Sequence, residues 1–235
     1  MNKLILYIIL VALIGGALWW FFMKYPDTRN ETQNIPTPET TIQDTVTIIA
    51  FGDSLTAGYG VSQNEAYPAQ LETMLREAGY PVTVINAGVS GETTRGNLER
   101  ANFIRSQNPD IVILGIGGND ALRALPVLET KKNIVATVQA LREDETPPVI
   151  LLLEMQAPLN MGLSYKKEFD DLYQAIAREE ELTLVPFITK MLFLDNTNKL
   201  EDGIHYNATG YQKVVEQYVF PSVVEVLENM DTTDE

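Results

Sequence analysis

The chain has 235 residues, no cysteine, a single histidine and a formal net charge of −15. The absence of cysteine excludes disulfides and thiolate ligands, and a single histidine excludes a His-rich metal site, so we expect neither a metal nor a cofactor. The acidic balance disfavours nucleic acid as a partner, because phosphate binding needs a basic surface.

The N-terminus carries a long apolar run, residues 4–22, with two tryptophans near its end. A helix of this length spans roughly 28 Å, close to the hydrocarbon thickness of a bilayer. Residues 1–24 are therefore predicted to be a transmembrane signal anchor. The alternative is a signal peptide that is cleaved at the small residues Gly15-Gly16-Ala17, which would release a secreted protein.

Residues 25–45 are rich in Thr, Pro, Asn, Asp and Glu and contain almost no large apolar side chains. Such a composition cannot form a core and is typical of a flexible polar linker. With the anchor before it, this linker predicts a single-pass protein whose C-terminal part lies outside the cytoplasm.

Residues 46–228 alternate short apolar runs with longer amphipathic ones. Five β-branched runs predict buried strands at Val46–Phe51, Val82–Asn86, Ile111–Gly115, Val149–Leu153 and Leu182–Pro186. The amphipathic runs predict helices at Tyr67–Ala78, Thr94–Ser106, Leu125–Arg142, Tyr165–Glu181 and Asn207–Leu227. The last helix is expected to break at Pro221. This alternation predicts one α/β domain with a five-stranded parallel sheet, followed by an acidic tail at residues 229–235.

Ser54 follows the first predicted strand, in the segment Phe51-Gly52-Asp53-Ser54. In parallel α/β folds functional residues lie at the carboxyl ends of the strands, so this hydroxyl is a candidate nucleophile. Taken alone, the segment favours the alternative, a tight turn whose Asp or Ser caps a helix.

The segment Asp202-Gly203-Ile204-His205 contains the only histidine of the chain. A serine hydroxyl needs a base to take its proton, and the base is usually a histidine oriented by a carboxylate. A separation of three residues lets Asp202 and His205 converge on one face of a turn. The pair therefore favours acid–base catalysis over a capping aspartate beside an ordinary histidine.

Two glycine-containing loops follow the second and third strands. Acyl transfer needs hydrogen-bond donors for its oxyanion, and the Gly88 N–H and the Asn119 side-chain amide are candidates. The alternative is that these are loop glycines and an asparagine that bonds its own turn. The argument for a site is that all four loops follow or adjoin the ends of predicted strands.

Together these segments resemble the four ordered blocks of the SGNH/GDSL hydrolases: Gly52-Asp53-Ser54-Leu55, Gly88, Gly117-Gly118-Asn119-Asp120 and Asp202-Gly203-Ile204-His205. The resemblance implies a flavodoxin-like three-layer α/β/α sandwich. It implies an acyl-enzyme on Ser54, with His205 as base and Asp202 orienting it. It also implies an oxyanion hole made by the N–H groups of Ser54 and Gly88 and by the Asn119 side chain.

The segments Ser54–Gly60 and Glu154–Asn160 are most similar to the bacterial periplasmic branch of acyl-thioesterases, lysophospholipases and arylesterases. This branch implies a serine esterase that acts on a small acyl ester or a lipid. Together with the predicted anchor, we expect a monomer at the bacterial cytoplasmic membrane. One departure is Tyr206, where the family commonly has proline. We expect it to alter loop rigidity or the shape of the acyl pocket.

Two other functions stay open at this stage. An O-acetyl esterase acting on cell-wall or other polysaccharide would use the same residues and would differ only in its pocket. A membrane-tethered binding module with a non-functional triad would bind without turnover. The presence of all four site residues argues against the binding module.

Overall fold

This computed structural model describes residue 24, residues 45–189 and residues 194–231. The expected anchor at residues 4–22 and the linker residues 25–44 lie outside this part of the chain. Among the residues that are described, no helix combines the length and the apolar character needed to cross a bilayer.

A five-stranded parallel sheet forms the centre of the domain. Its strands are β1 Val46–Gly52, β2 Val82–Gly88, β3 Ile111–Gly115, β4 Val149–Glu154 and β5 Thr183–Pro186. They lie in the order β2-β1-β3-β4-β5, and each neighbouring pair is parallel. This order is that of flavodoxin-like folds. All five predicted strands are confirmed, with bounds that differ by at most two residues.

The central strands are continuous apolar runs because both of their faces are covered. Every residue of β3 is buried, and so are residues 48–52 of β1. Edge strand β2 differs, since Ile85 and Asn86 are exposed. The pattern of burial along the strands therefore follows their position in the sheet.

Helices cover both faces of the sheet. In the described residues they are α1 Ser54–Ala57, α2 Tyr67–Glu77, α3 Thr94–Arg105, α4 Gly118–Leu122, α5 Val127–Leu141, α6 Leu163–Glu179, α7 Ala208–Val214 and α8 Phe220–Asp231. Helix α5 packs between α3 and α6, while α2 packs against α7 and α8. Right-handed crossovers place these two sets on opposite faces, which makes a three-layer α/β/α sandwich.

The predicted break at Pro221 is wrong. Helix α7 continues into a π-helical turn, Val215–Val219, and α8 begins at Phe220. A proline ring clashes with the carbonyl four residues earlier, which here belongs to Gln217 inside the π turn. The wider turn relieves this clash, so the chain stays helical through the proline.

Three glycines lie side by side at the carboxyl edge of the sheet. Gly52 of β1 is in register with Gly88 of β2 and with Gly115 of β3. A Cβ atom on Gly52 would lie 2.1 Å from Thr56 Oγ1, and one on Gly88 would lie 2.2 Å from the Ala57 nitrogen. Helix α1 therefore rests directly on this edge, which only glycine permits.

Candidate active site

Ser54 is the first residue of α1, and the residue before it holds the turn in place. The Asp53 side chain caps α1 by accepting a hydrogen bond from the Leu55 N–H at 3.0 Å. Strand β1 pairs with β2 on one side and β3 on the other, so Ser54 lies where the order of the strands reverses. Ligand sites of open α/β sheets form at this position.

The structure brings the three predicted catalytic residues together. The Ser54 Oγ lies 2.8 Å from His205 Nε2, and His205 Nδ1 lies 2.7 Å from Asp202 Oδ2. An ionised carboxylate can only accept hydrogen bonds, so Nδ1 carries the imidazole proton and Nε2 is left to accept from the serine hydroxyl. This is the arrangement that removes a proton from a serine nucleophile.

Asp202 is held by its own turn. Its Oδ1 accepts hydrogen bonds from the Ile204 N–H at 2.8 Å and from the His205 N–H at 3.0 Å. Partial burial raises the pKa of Asp202, but these bonds and the His205 ring outweigh the burial and leave the pKa below its usual value. Asp202 is therefore ionised at neutral pH and fixes the tautomer of His205.

The segment around His205 is tied to the core by the residue that departs from the family pattern. Tyr206 is fully buried, and its hydroxyl donates to the Phe187 carbonyl at 2.9 Å. Its ring makes edge contacts with Phe187 and Tyr211. Of the two effects expected for Tyr206, these contacts support loop rigidity, since Tyr206 does not line the cleft beside Ser54 in the described part of the chain.

Asn119 belongs to a buried polar cluster beneath Ser54. Its Nδ2 lies 3.5 Å from Asp53 Oδ2, and Asp120 accepts from the Thr94 N–H at 2.8 Å and the Thr94 hydroxyl at 2.6 Å. Asp120 therefore joins the start of α4 to the start of α3. The sequence offered Asp53 as a possible helix cap, which the structure confirms, but it gave no reason to place Asp53 beside Asn119 or to assign Asp120 a positioning role.

Gly88 is placed differently from the expectation of a free backbone donor. It ends β2, and its N–H donates to Asn86 Oδ1 at 3.0 Å. This N–H becomes available to an oxyanion only when the Asn86 side chain turns away. The loop after Gly88 is held in turn by Arg100 and Arg123, which donate to the carbonyls of Ala87 and Gly91.

A cleft of about 590 Å³ opens beside Ser54. Apolar side chains supply much of its wall: Leu55, Leu122, Leu159, Ile188, Leu194 and Ile204. The Lys166 ammonium donates to the Ala157 carbonyl at 2.9 Å and to Asp170 at 2.7 Å, while Asp170 accepts from the Ala157 N–H at 3.0 Å. This ion pair fixes both backbone groups of Ala157 in the cleft wall.

Comparison with known protein families agrees with this geometry. A model of the GDSL-like Lipase/Acylhydrolase family matches residues 50–213, a range that includes all the site residues described above. The chain belongs to this family.

Curated members of the GDSL family are similar over most of their length. The esterase TesA of Pseudomonas aeruginosa is 31% identical over 187 residues, which cover 77% of this chain and 89% of that protein. The arylesterase of Vibrio mimicus is 30% identical, with 67% of this chain and 78% of that protein covered. The thioesterase 1/protease 1/lysophospholipase L1 of Escherichia coli K12 is 32% identical, with 68% and 76% covered.

Solved structures of esterases share the fold. The psychrotrophic esterase EstA from Pseudoalteromonas sp. superimposes with a TM-score of 0.71 at 28% identity, covering 77% of this chain and 98% of that chain. The SGNH-hydrolase family esterase AlinE4 gives 0.63 at 38% identity, covering 78% and 97%. The resemblance seen in the sequence is confirmed, and the chain is an ester-hydrolysing enzyme of the GDSL type.

Asp53 generates a prediction about stability and pH. Burial raises the pKa of Asp53 from 3.8 to about 6; the Leu55 N–H and His205 oppose this rise, and Asp120 adds to it. Between these values the folded state holds a proton that the unfolded chain has released. The free energy of unfolding contributed by Asp53 therefore falls as the pH rises, by up to about 3 kcal/mol at about 1.4 kcal/mol per pH unit.

Asp53→Asn keeps an oxygen that can accept from Leu55 but does not titrate, so the variant should lose this pH-dependent component. Urea unfolding of both proteins from about pH 4 to about pH 7 measures the difference. Asp171→Asn, at an exposed position on α6, is the control. The pKa assigned to Asp53 would be contradicted if the difference in the free energy of unfolding between wild type and Asp53→Asn did not change across this pH range.

Proposed function

We propose that this chain hydrolyses carboxylic ester or thioester bonds through an acyl-enzyme on Ser54. The observation that carries the proposal is the hydrogen-bonded series from Ser54 Oγ through His205 to Asp202, with distances of 2.8 and 2.7 Å. No metal or cofactor enters the mechanism.

The reaction has two halves. In the first, the Ser54 Oγ–H proton passes to His205 Nε2 while Oγ forms a bond to the acyl carbon. The tetrahedral intermediate then collapses, the bond from the acyl carbon to the leaving oxygen or sulfur breaks, and His205 returns the proton to the leaving group. In the second half, water gives a proton to His205 Nε2 while its oxygen forms a bond to the acyl carbon. The bond from the acyl carbon to Ser54 Oγ then breaks, His205 returns the proton to Oγ, and the carboxylic acid leaves.

We infer that the oxyanion is bound by the Ser54 N–H and the Asn119 side-chain amide. Asn119 is nearly buried, lines the cleft and lies next to the Asp53 carboxylate. Preorganised donors of this kind act strongly where water is excluded. Gly88 joins them if Asn86 releases its N–H, and Gly91 of the same loop is the other backbone candidate.

The apolar wall of the cleft favours an acyl chain as the group that binds there. Apolar pockets with a few polar groups favour hydrocarbon ligands, whereas a sugar would need an open polar groove. The names of the relatives, esterase, arylesterase, thioesterase and lysophospholipase, include acyl esters and thioesters. The structure named for EstA is one inhibited by monoethylphosphonate, whose tetrahedral phosphorus resembles the intermediate of ester hydrolysis.

The first prediction of this mechanism concerns the nucleophile. Ser54→Ala in the full-length chain should lower kcat/KM for p-nitrophenyl esters on the order of 10⁴-fold or more, because the acyl-enzyme cannot form. Ser106→Ala, at the end of α3, is the matched control and should keep wild-type activity. A folded Ser54→Ala protein that still turns over these esters would overturn the mechanism.

The second prediction concerns the acyl group. Across p-nitrophenyl esters from acetyl to palmitoyl, kcat/KM should rise about fourfold for each methylene buried in the cleft, until the cleft is full. A profile that is highest for acetyl would instead favour the polysaccharide O-acetyl esterase. Binding of esters without turnover at any length would favour the binding module.

We also propose that the enzyme acts as a monomer at the outer face of a bacterial cytoplasmic membrane. The catalytic residues all come from one chain, which supports a monomer. The apolar run at residues 4–22 and the polar residues 25–45 support an anchor followed by a linker.

The anchor predicts that the full-length chain, expressed in bacteria, stays in the membrane fraction until detergent is added. Its catalytic domain should be digested by protease added to cells whose outer barrier has been removed. If the protein is soluble and intact mass spectrometry shows that its first residues are missing, the signal peptide is cleaved and the protein is secreted instead. If the protein is soluble, has its full mass and is protected from protease inside intact cells, both the anchor and the cleaved signal peptide are contradicted.

A further inference from the structure

Tyr59 is an aromatic residue that the mechanism above does not use. Tyr59 is 54% exposed, yet the centroid of its ring lies 4.7 Å from the centroid of the His205 imidazole, at an interplanar angle of 39°. Tyr67, Tyr173 and Tyr211, by contrast, are buried in the core of the domain. A half-exposed ring in contact with the general base therefore calls for a role at the site.

The backbone holds Tyr59 at a set distance from the nucleophile. The N–H groups of Gly58 and Tyr59 both donate to the Ser54 carbonyl, at 3.1 and 3.0 Å. Gly58 ends α1 in the left-handed region, at φ +77°, which turns the chain sharply after one helical turn. The position of Tyr59 is thus set by the same short helix that presents Ser54.

The ring lies next to His205, the residue that protonates the leaving group. His205 Nε2 must be within hydrogen-bond reach of the leaving oxygen to protonate it. The acyl cleft is walled by other residues, including Asn119 and Ile204, and Tyr59 is not among its lining residues in the described part of the chain. A substituent on the leaving oxygen therefore begins beside His205 and next to the exposed ring.

We propose that Tyr59 is a specificity-determining residue for the alcohol half of the substrate, and that it favours aromatic alcohols. The proposal rests on the serine esterase mechanism given above. A planar leaving group can stack on the exposed ring or meet it edge to face, whereas an aliphatic alcohol gains less from this contact. The acyl cleft and the Tyr59 ring then select the two halves of the ester separately.

The experiment compares two esters with the same acyl group in the full-length chain: phenyl butyrate and trifluoroethyl butyrate. In Tyr59→Ala the ratio of kcat/KM for the phenyl ester to that for the trifluoroethyl ester should fall about tenfold from the wild-type ratio. Tyr59→Phe keeps the ring and should keep the ratio. Phe103→Ala removes an exposed ring on α3 that does not line the cleft and should leave the ratio unchanged.

The direction of the change separates this role from mere support of His205. If Tyr59 only orients His205, its loss weakens protonation of the leaving group and harms the poorer leaving group more, so the ratio would stay the same or rise. That result would overturn the proposal.

A second measurement is the rate at which the butyryl-enzyme is deacylated. With p-nitrophenyl butyrate, this rate is measured in the steady-state phase that follows the burst. The alcohol has left by then, so Tyr59→Ala should not change its rate, and a loss there would also contradict the proposal.

Failure of the inference is distinguishable from failure of the mechanism. If the wild-type chain hydrolyses neither ester, the serine esterase proposal falls. If it hydrolyses both and the ratio is the same in wild type and Tyr59→Ala, only the role of Tyr59 falls.

Discussion

The geometry of the site depends on how closely helix α1 packs on the carboxyl end of the sheet. Strand β1 pairs there with β2 on one side and β3 on the other, and α1 rests directly on the ends of these strands. The three glycines in register, Gly88, Gly52 and Gly115, carry no side chains where α1 rests. A methyl group on Gly52 or Gly88 would push α1 away from the sheet. Ser54 would then move with its helix, and its contact with His205, from a segment 151 residues away in the chain, would be lost.

The junction buries a carboxylate, which has an energetic cost. Asp53 is 1% exposed, and burial raises its pKa to about 6, so the ionised form is disfavoured there. The Leu55 N–H and the positive character that His205 acquires on protonation offset part of this cost. A carboxylate that caps α1 and faces the Asn119 amide also orders two of the groups that acyl transfer needs. The same placement therefore lowers stability at neutral pH and positions the site.

Rigidity around His205 comes from hydrophobic burial and from hydrogen bonds made by its neighbours. The Leu200 N–H donates to the His205 carbonyl at 2.9 Å, and Tyr206 extends into the core beside Phe187. Asp202 completes the local turn with its two backbone hydrogen bonds. The imidazole is thus oriented from both directions along the chain, as a general base must be if it is to act without reorganisation.

Much of the fold and the triad could be predicted from the sequence, because both depend on local patterns. Continuous β-branched runs between amphipathic ones indicate a parallel sheet, and a lone histidine three residues after an aspartate indicates a catalytic pair. Other features depend on contacts between distant segments, and only the tertiary structure decided them. Gly88 must lack a side chain because β2 ends beside α1, where a Cβ atom would lie 2.2 Å from the Ala57 nitrogen. Tyr59 meets His205 because the sheet brings the ends of β1 and of the last loop to one edge. Such contacts leave no periodic trace in the sequence, since each depends on the packing of elements that lie far apart along the chain.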